Sequence, residues 1–136
     1  MPGEEVWAET TDGGLLRQLF GHYPTLHDAS IRMISIDRKA DMIAMTVDYR
    51  DSVGVDDRQT LAVSIRLEWR GVESMDLPID ETNVFGLDFE RDGAKVVTNL
   101  EVYPGVFGKI VSETVEAVLV QVDSARTDDR PWIRMR

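Results

Sequence analysis

Cysteine is absent from the 136 residues, which excludes disulfides, thiolate metal sites and cysteine nucleophiles. Histidine is scarce: His22 and His27 are the only two. No segment approaches the ~18 consecutive apolar residues that span a bilayer. Met1-Pro2-Gly3-Glu4-Glu5 lacks the basic start of a secretory signal, so the expected compartment is the cytoplasm, with no membrane partner. Basic residues are also short, 15 against 25 acidic ones, for a net charge of −10. A body this acidic repels nucleic acid and anionic lipid and attracts a basic partner; the plainer reading is that acidity keeps a small protein soluble.

What is present is an ordinary globular composition, 43% hydrophobic and 29% charged. The length fits one domain over residues 1–136, able to bury roughly two thirds of its unfolded surface, with ~10 residues at each end expected to be loose. Thr11-Asp12 supplies a capping residue, Leu15, Leu16, Leu19 and Phe20 form an apolar stripe, and Gly21 with Pro24 closes one short helix. Strands are expected at Ser30 to Arg38 and Met42 to Tyr49, joined by the polar hairpin Asp37 to Asp41.

The clearest strand is Leu61 to Trp69. Leu61, Val63, Ile65, Leu67 and Trp69 alternate with Ala62, Ser64, Arg66 and Glu68, predicting one buried and one wet face. Arg70-Gly71 turns into Val72 to Leu77. Val84 to Glu90 and Ala94 to Tyr103 form a hairpin through Asp92-Gly93, and Pro104-Gly105 ends that strand. Val115 to Asp123 alternates as a last strand, with Ser112-Glu113 as a competing helix cap. Strands about ten residues apart, without crossover helices, predict an α+β fold: mainly an antiparallel β-sheet meander with one short N-terminal helix.

Both histidines lie in Phe20-Gly21-His22-Tyr23-Pro24-Thr25-Leu26-His27-Asp28-Ala29, between the helix and the first long strand. Histidine beside a carboxylate is apparatus for proton transfer or metal binding, so His22, His27 and Asp28 define one reading, a small metal-binding or hydrolytic enzyme. Their spacing across a proline turn is not that of a zinc site. The favoured reading is a structural corner, with Asp28 bonding backbone amides and His27 partly buried. No serine sits in a Gly-x-Ser-x-Gly turn, and Gly13-Gly14 lacks the spacing of a dinucleotide loop or the lysine of a phosphate loop. The acidic groups Asp48, Asp51, Asp56, Asp57 and Asp76, Asp80, Glu81 lack the calcium-loop pattern. No cofactor or metal is expected. A third reading is assembly through an exposed sheet edge.

The run from Phe20 to Ile31, with Ile34-Ser35-Ile36-Asp37-Arg38, Leu67-Glu68-Trp69-Arg70-Gly71-Val72 and Asn83-Val84-Phe85-Gly86-Leu87, resembles the immunity protein 50 family over roughly Leu15 to Tyr103. The chain departs from that pattern with Leu26 where phenylalanine is common and with Trp69-Arg70 before Gly71-Val72, and its C-terminal third matches little. The resemblance implies a non-enzymatic bacterial protein that binds and neutralises a cognate toxin of a polymorphic toxin system by occlusion. No catalytic residue carries over. The acidity suits a basic toxin, and the first candidates for contact are Asp48, Asp51, Asp56 and Asp57, read as crowding one inter-strand connection, then Asp76, Asp80 and Glu81. The sequence does not choose between monomer and homodimer.

Overall fold

The computed structural model describes residues 2–53, 59–77, 83–84, 86–103 and 106–126. Two helices come first, α1 (Pro2–Glu9) and α2 (Gly13–Phe20), followed by β1 (Ala29–Asp37), β2 (Met42–Val53), β3 (Gln59–Arg70), β4 (Ser74–Asp76), β5 (Asn83–Val84), β6 (Gly86–Asp92), β7 (Lys95–Tyr103), β8 (Val106–Ser112) and β9 (Thr114–Arg126). The strands form two antiparallel sheets, ordered β5-β1-β2-β3-β9 and β4-β8-β7-β6. The class is the expected α+β with antiparallel strands. Two sheets replace a single meander because the strands need their apolar faces covered, and alternation does not say by which neighbour.

The β3 stripe supplies one wall of the core: Leu61, Val63, Ile65, Leu67 and Trp69 are all buried. Leu87, Phe89, Val96, Leu100 and Ile110 from the second sheet join them in one hydrophobic cluster. Across it, the Trp69 indole Nε1–H donates to Thr98 Oγ1 at 2.8 Å, and both residues are fully buried. Two adjacent crossovers link the sheets at this end. Gly71 turns with φ 64°, and the Glu113 amide donates to the Arg70 and Gly71 carbonyls, both at 3.1 Å.

The other face of β3 is less wet than expected. Ser64 is buried, as are Ala44 and Thr46 on the neighbouring strand. Their register partners are Asp48, Glu68 and Arg66. Glu68 accepts from Arg66 Nε at 2.6 Å and Arg70 Nη2 at 2.8 Å. Long paired side chains therefore stand beside small ones and shade them. The Arg66 hydrogen bond, with Arg70 behind it, holds the Glu68 carboxyl below its ordinary pKa against the opposing effect of burial.

Turn chemistry follows the sequence. Asp37 Oδ1 accepts from the Lys39 and Ala40 amides at 3.0 and 3.1 Å. Gly93 takes φ 62° as the first of two connecting residues between β6 and β7, a conformation a side chain resists. Gly21 closes α2 with φ 82°, its amide bonded to the Arg17 carbonyl at 2.7 Å.

The N-terminus is a docked helix rather than a loose end. Within α1, Val6 and Trp7 are buried, and the Trp7 ring meets Phe89 edge-on at 5.1 Å and stacks on Tyr23 at 6.3 Å. Eight residues make a marginal helix alone, so tertiary packing, silent in local periodicity, holds it. Asp12 does not cap α2 with its side chain. Its amide donates to the Ala117 carbonyl at 3.0 Å and its Oδ2 accepts from the Leu119 amide at 2.7 Å, covering the middle of the β9 edge at the bulge opposite Ser64 and Ile65. The expected loose tail, from Thr127 onward, lies outside the described residues.

Two outcomes test this packing. At Gly13 an added Cβ would sit 1.8 Å from the Trp7 carbonyl oxygen, whereas at Gly14 it would meet nothing within 4 Å. Gly13→Ala should therefore destabilise by about 1–3 kcal/mol, and Gly14→Ala should stabilise by about 0.5–1 kcal/mol, both read by denaturant unfolding. The lowered Glu68 pKa makes a stabilising contribution that is present above the unfolded-state value and lost as pH falls through the folded one. Glu68→Gln should flatten the acid limb of the stability curve, measured by thermal melts from neutral to acid pH.

Candidate functional site

The histidine corner is built around Leu26. Its side chain is fully buried although its φ is +56°, a conformation costing an L-residue about 1–2 kcal/mol. Burying leucine is worth about 1.5–3 kcal/mol, enough to offset the strain. The His27 amide donates to Thr25 Oγ1 at 3.2 Å, and the Ala29 amide to the Leu26 carbonyl at 3.3 Å, closing the turn into β1.

The corner differs from expectation in its side chains. Asp28 is 68% exposed and its carboxylate meets the His27 ring at 3.5 Å, not backbone amides; His27 is 63% exposed rather than partly buried. Asp28 sits at φ +60°, a conformation that aspartate tolerates, which is a reason for its place here independent of chemistry. His22 points elsewhere: its Nδ1–H donates to the Tyr23 carbonyl at 2.8 Å and its Nε2 lies 3.2 Å from Asp51. The two rings thus face different carboxylates, and His22, His27 and Asp28 do not converge. Among the described residues, no group of three or more histidine and carboxylate side chains is placed to hold a metal ion.

Asp48 and Asp51 lie within β2, which continues to Val53, and not in a connecting loop. Asp48 faces the outer side of the first sheet, in a shallow cleft of about 230 Å³ with Arg32, Arg50, Gln121 and Asp123. Arg32 grips it through Nη2 at 2.9 Å and Nε at 3.1 Å, and Ser64 donates to it at 2.6 Å. Such bidentate pairing largely neutralises the carboxylate. Asp51 accepts from the Tyr49 hydroxyl at 3.1 Å and the Ser52 amide at 2.8 Å. Burial above all pushes the Tyr49 phenol up, with the Asp51 charge adding to it. Asp56, Asp57, Asp80 and Glu81 lie outside the described residues.

Asp76 is placed differently. It stands exposed on β4 opposite Lys109 of β8, on the outer face of the second sheet. That face also carries Asp88 and Glu90 of β6, Asn99 and Glu101 of β7, and Phe107 of β8. Asn99 Nδ2 donates to Asp88 Oδ1 at 3.2 Å. One hollow of about 360 Å³ joins Phe107 to Asp88, Glu101 and the Thr25–His27 corner; a second, of about 460 Å³, joins it to Asp76, Asn99 and Lys109. The sequence reading ends the Ala94 to Tyr103 strand at Pro104-Gly105 and places the next strand only at Val115, so it gives Phe107 no role. Proline followed by glycine is equally the signature of a turn, and Ile110-Val111 just beyond was the available sign of a further strand.

Substitution at Asp28 separates backbone from side-chain roles. Asp28→Gly should leave stability unchanged or slightly raised, because glycine accepts φ +60° freely; Asp28→Val should cost about 1–2 kcal/mol, measured by thermal unfolding. A loss as large for glycine as for valine would contradict the backbone account. Compared with known proteins, the chain matches no family model, no curated protein and no solved structure.

Proposed function

We propose that this chain is a non-enzymatic immunity protein that binds a basic protein toxin, in the cytoplasm, and neutralises it by occlusion. The observation that carries this reading is the net charge of −10 on a fold whose outer sheet surfaces carry carboxylates open to solvent. Long-range attraction of this kind raises association rates by ~10- to 1,000-fold, an advantage for a protein that must intercept a toxin quickly. The same charge disfavours nucleic acid and anionic membrane as partners. No helix among the described residues is long and apolar enough to cross a membrane.

The separation of the histidines weighs against the hydrolytic alternative. A three-residue site needs His22, His27 and Asp28 on one point, whereas the rings pair with Asp51 and Asp28 separately. Assembly through a sheet edge is opposed in part by Asp12, which occupies the middle of the β9 edge.

The test is binding and protection together. The toxin domain encoded beside this chain's gene should bind the purified chain, lose activity on a one-to-one titration, and associate more slowly as salt rises. Failure of the wild-type chain to bind it, or binding with toxin activity intact, would contradict the reading.

A further inference from the structure

We propose that the outer face of the second sheet is the docking surface for the basic partner, with Phe107 as its apolar anchor; this rests on the binding role above. Phe107 is 65% exposed, more than Leu15, Met33, Ile36, Val120 or Val122, the other large apolar side chains that stand in solvent among the described residues. Among the described residues, the ring takes no part in the hydrophobic core. The core side of β8 and β7 is filled by Ile110 and Leu100, and Phe107 projects from the opposite face, in register with Glu101.

The surroundings of the ring define what would cover it. Phe107 stands between the two hollows of about 360 and 460 Å³, a ridge with space on both sides for a partner's side chains. Asp88 and Glu101 border the first hollow and Asp76 the second. Among the described residues lining either one, Lys109 is the one lysine or arginine. An aromatic anchor that loses water at the centre of a charged rim is the arrangement in which a few residues dominate affinity while the rim sets rate and specificity. The sign of this rim selects lysine- and arginine-rich protein surface. Arginine can also lie over the exposed ring face. The cleft on the first sheet is a weaker candidate, because Arg32 and Arg50 line it and repel a basic partner, and Arg32 pairs with its central carboxylate, Asp48.

Two measurements test this surface on the full chain. The first compares wild type, Phe107→Ala and Asp76→Asn/Glu101→Gln for binding to the adjacent-gene toxin domain at low and high salt, after melts show that the variants fold. Phe107→Ala should weaken binding roughly 10- to 100-fold, mainly through faster dissociation. The double variant should mainly slow association and flatten its salt dependence. The second follows amide resonances of the isotope-labelled chain during titration with the peptide Lys-Arg-Trp-Arg-Lys. Shifts should gather on Asp88, Asn99, Glu101, Phe107 and Lys109, and vanish in Phe107→Ala. Undiminished toxin binding by Phe107→Ala overturns the surface and leaves the inhibitor role standing. Absence of toxin binding by wild type overturns the inhibitor role, and the peptide then decides the surface alone. Shifts spread over the molecule or centred on Asp48 and Arg50 overturn it.

Discussion

The hydrogen bond from the Trp69 indole to the Thr98 hydroxyl, 2.8 Å long between two fully buried residues, is the contact on which the arrangement of the two sheets depends. Apolar packing is tolerant of small slides between sheets; a buried N–H is not, since losing its acceptor costs about 1–3 kcal/mol. Trp69 lies at the end of β3, one residue before the chain turns at Arg70-Gly71 towards the other sheet, and Thr98 lies mid-way along β7. The bond therefore pins the sheets where their crossovers begin. Glu113 adds to this by bonding the Arg70 and Gly71 carbonyls, so that the path out of the first sheet and the path back into it are tied together.

With both inner faces closed on one core, edges and outer faces are what the two sheets leave open. Edges are partly guarded. Asp12 lies along the middle of β9, β4 has only three residues, and α1 packs so tightly on β6 that a Cβ at Gly3 would lie 3.0 Å from the Phe89 carbonyl. Exposed edges invite pairing with other chains, and these are familiar means of blunting them. The outer faces differ in character. On the first sheet the charges are largely matched in pairs, Arg32 with Asp48 and Arg66 and Arg70 with Glu68. On the second, the hollows beside the exposed Phe107 are bordered by Asp88 and Glu101 on one side and by Asp76 and Lys109 on the other. The first pattern stabilises the sheet; the second is the surface proposed above for docking.

Much of the framework was legible where one interaction range sufficed. The β3 stripe from Leu61 to Trp69, the Asp37 hairpin, the Gly21 helix stop and the Gly93 turn are all local signals, and each appears in its expected role. What escaped depends on contacts distant in sequence. Helix α1 is held by Trp7 against Phe89, Asp12 bonds β9 instead of its own helix, and Gly13 is required by the Trp7 carbonyl. Alternation makes Ser64 wet because it sees only its own strand, whereas its hydroxyl is bonded to Asp48 on the next one. Of the candidate carboxylates, Asp48 and Asp51 sit in β2 with partners already chosen. Asp76 alone of the described ones joins the outer face of the second sheet, and Phe107 is invisible to a reading that ends the strand at Pro104-Gly105 without a further strand before Val115.

The joining of the two sheets through Trp69 and Thr98 is most directly tested by a double-mutant cycle of Trp69→Phe and Thr98→Val, with unfolding free energies measured in denaturant. The structure predicts a coupling of about 0.5–3 kcal/mol, the double variant losing less than the sum of the singles because neither leaves a buried partner behind. Strictly additive losses would contradict the role given to this bond.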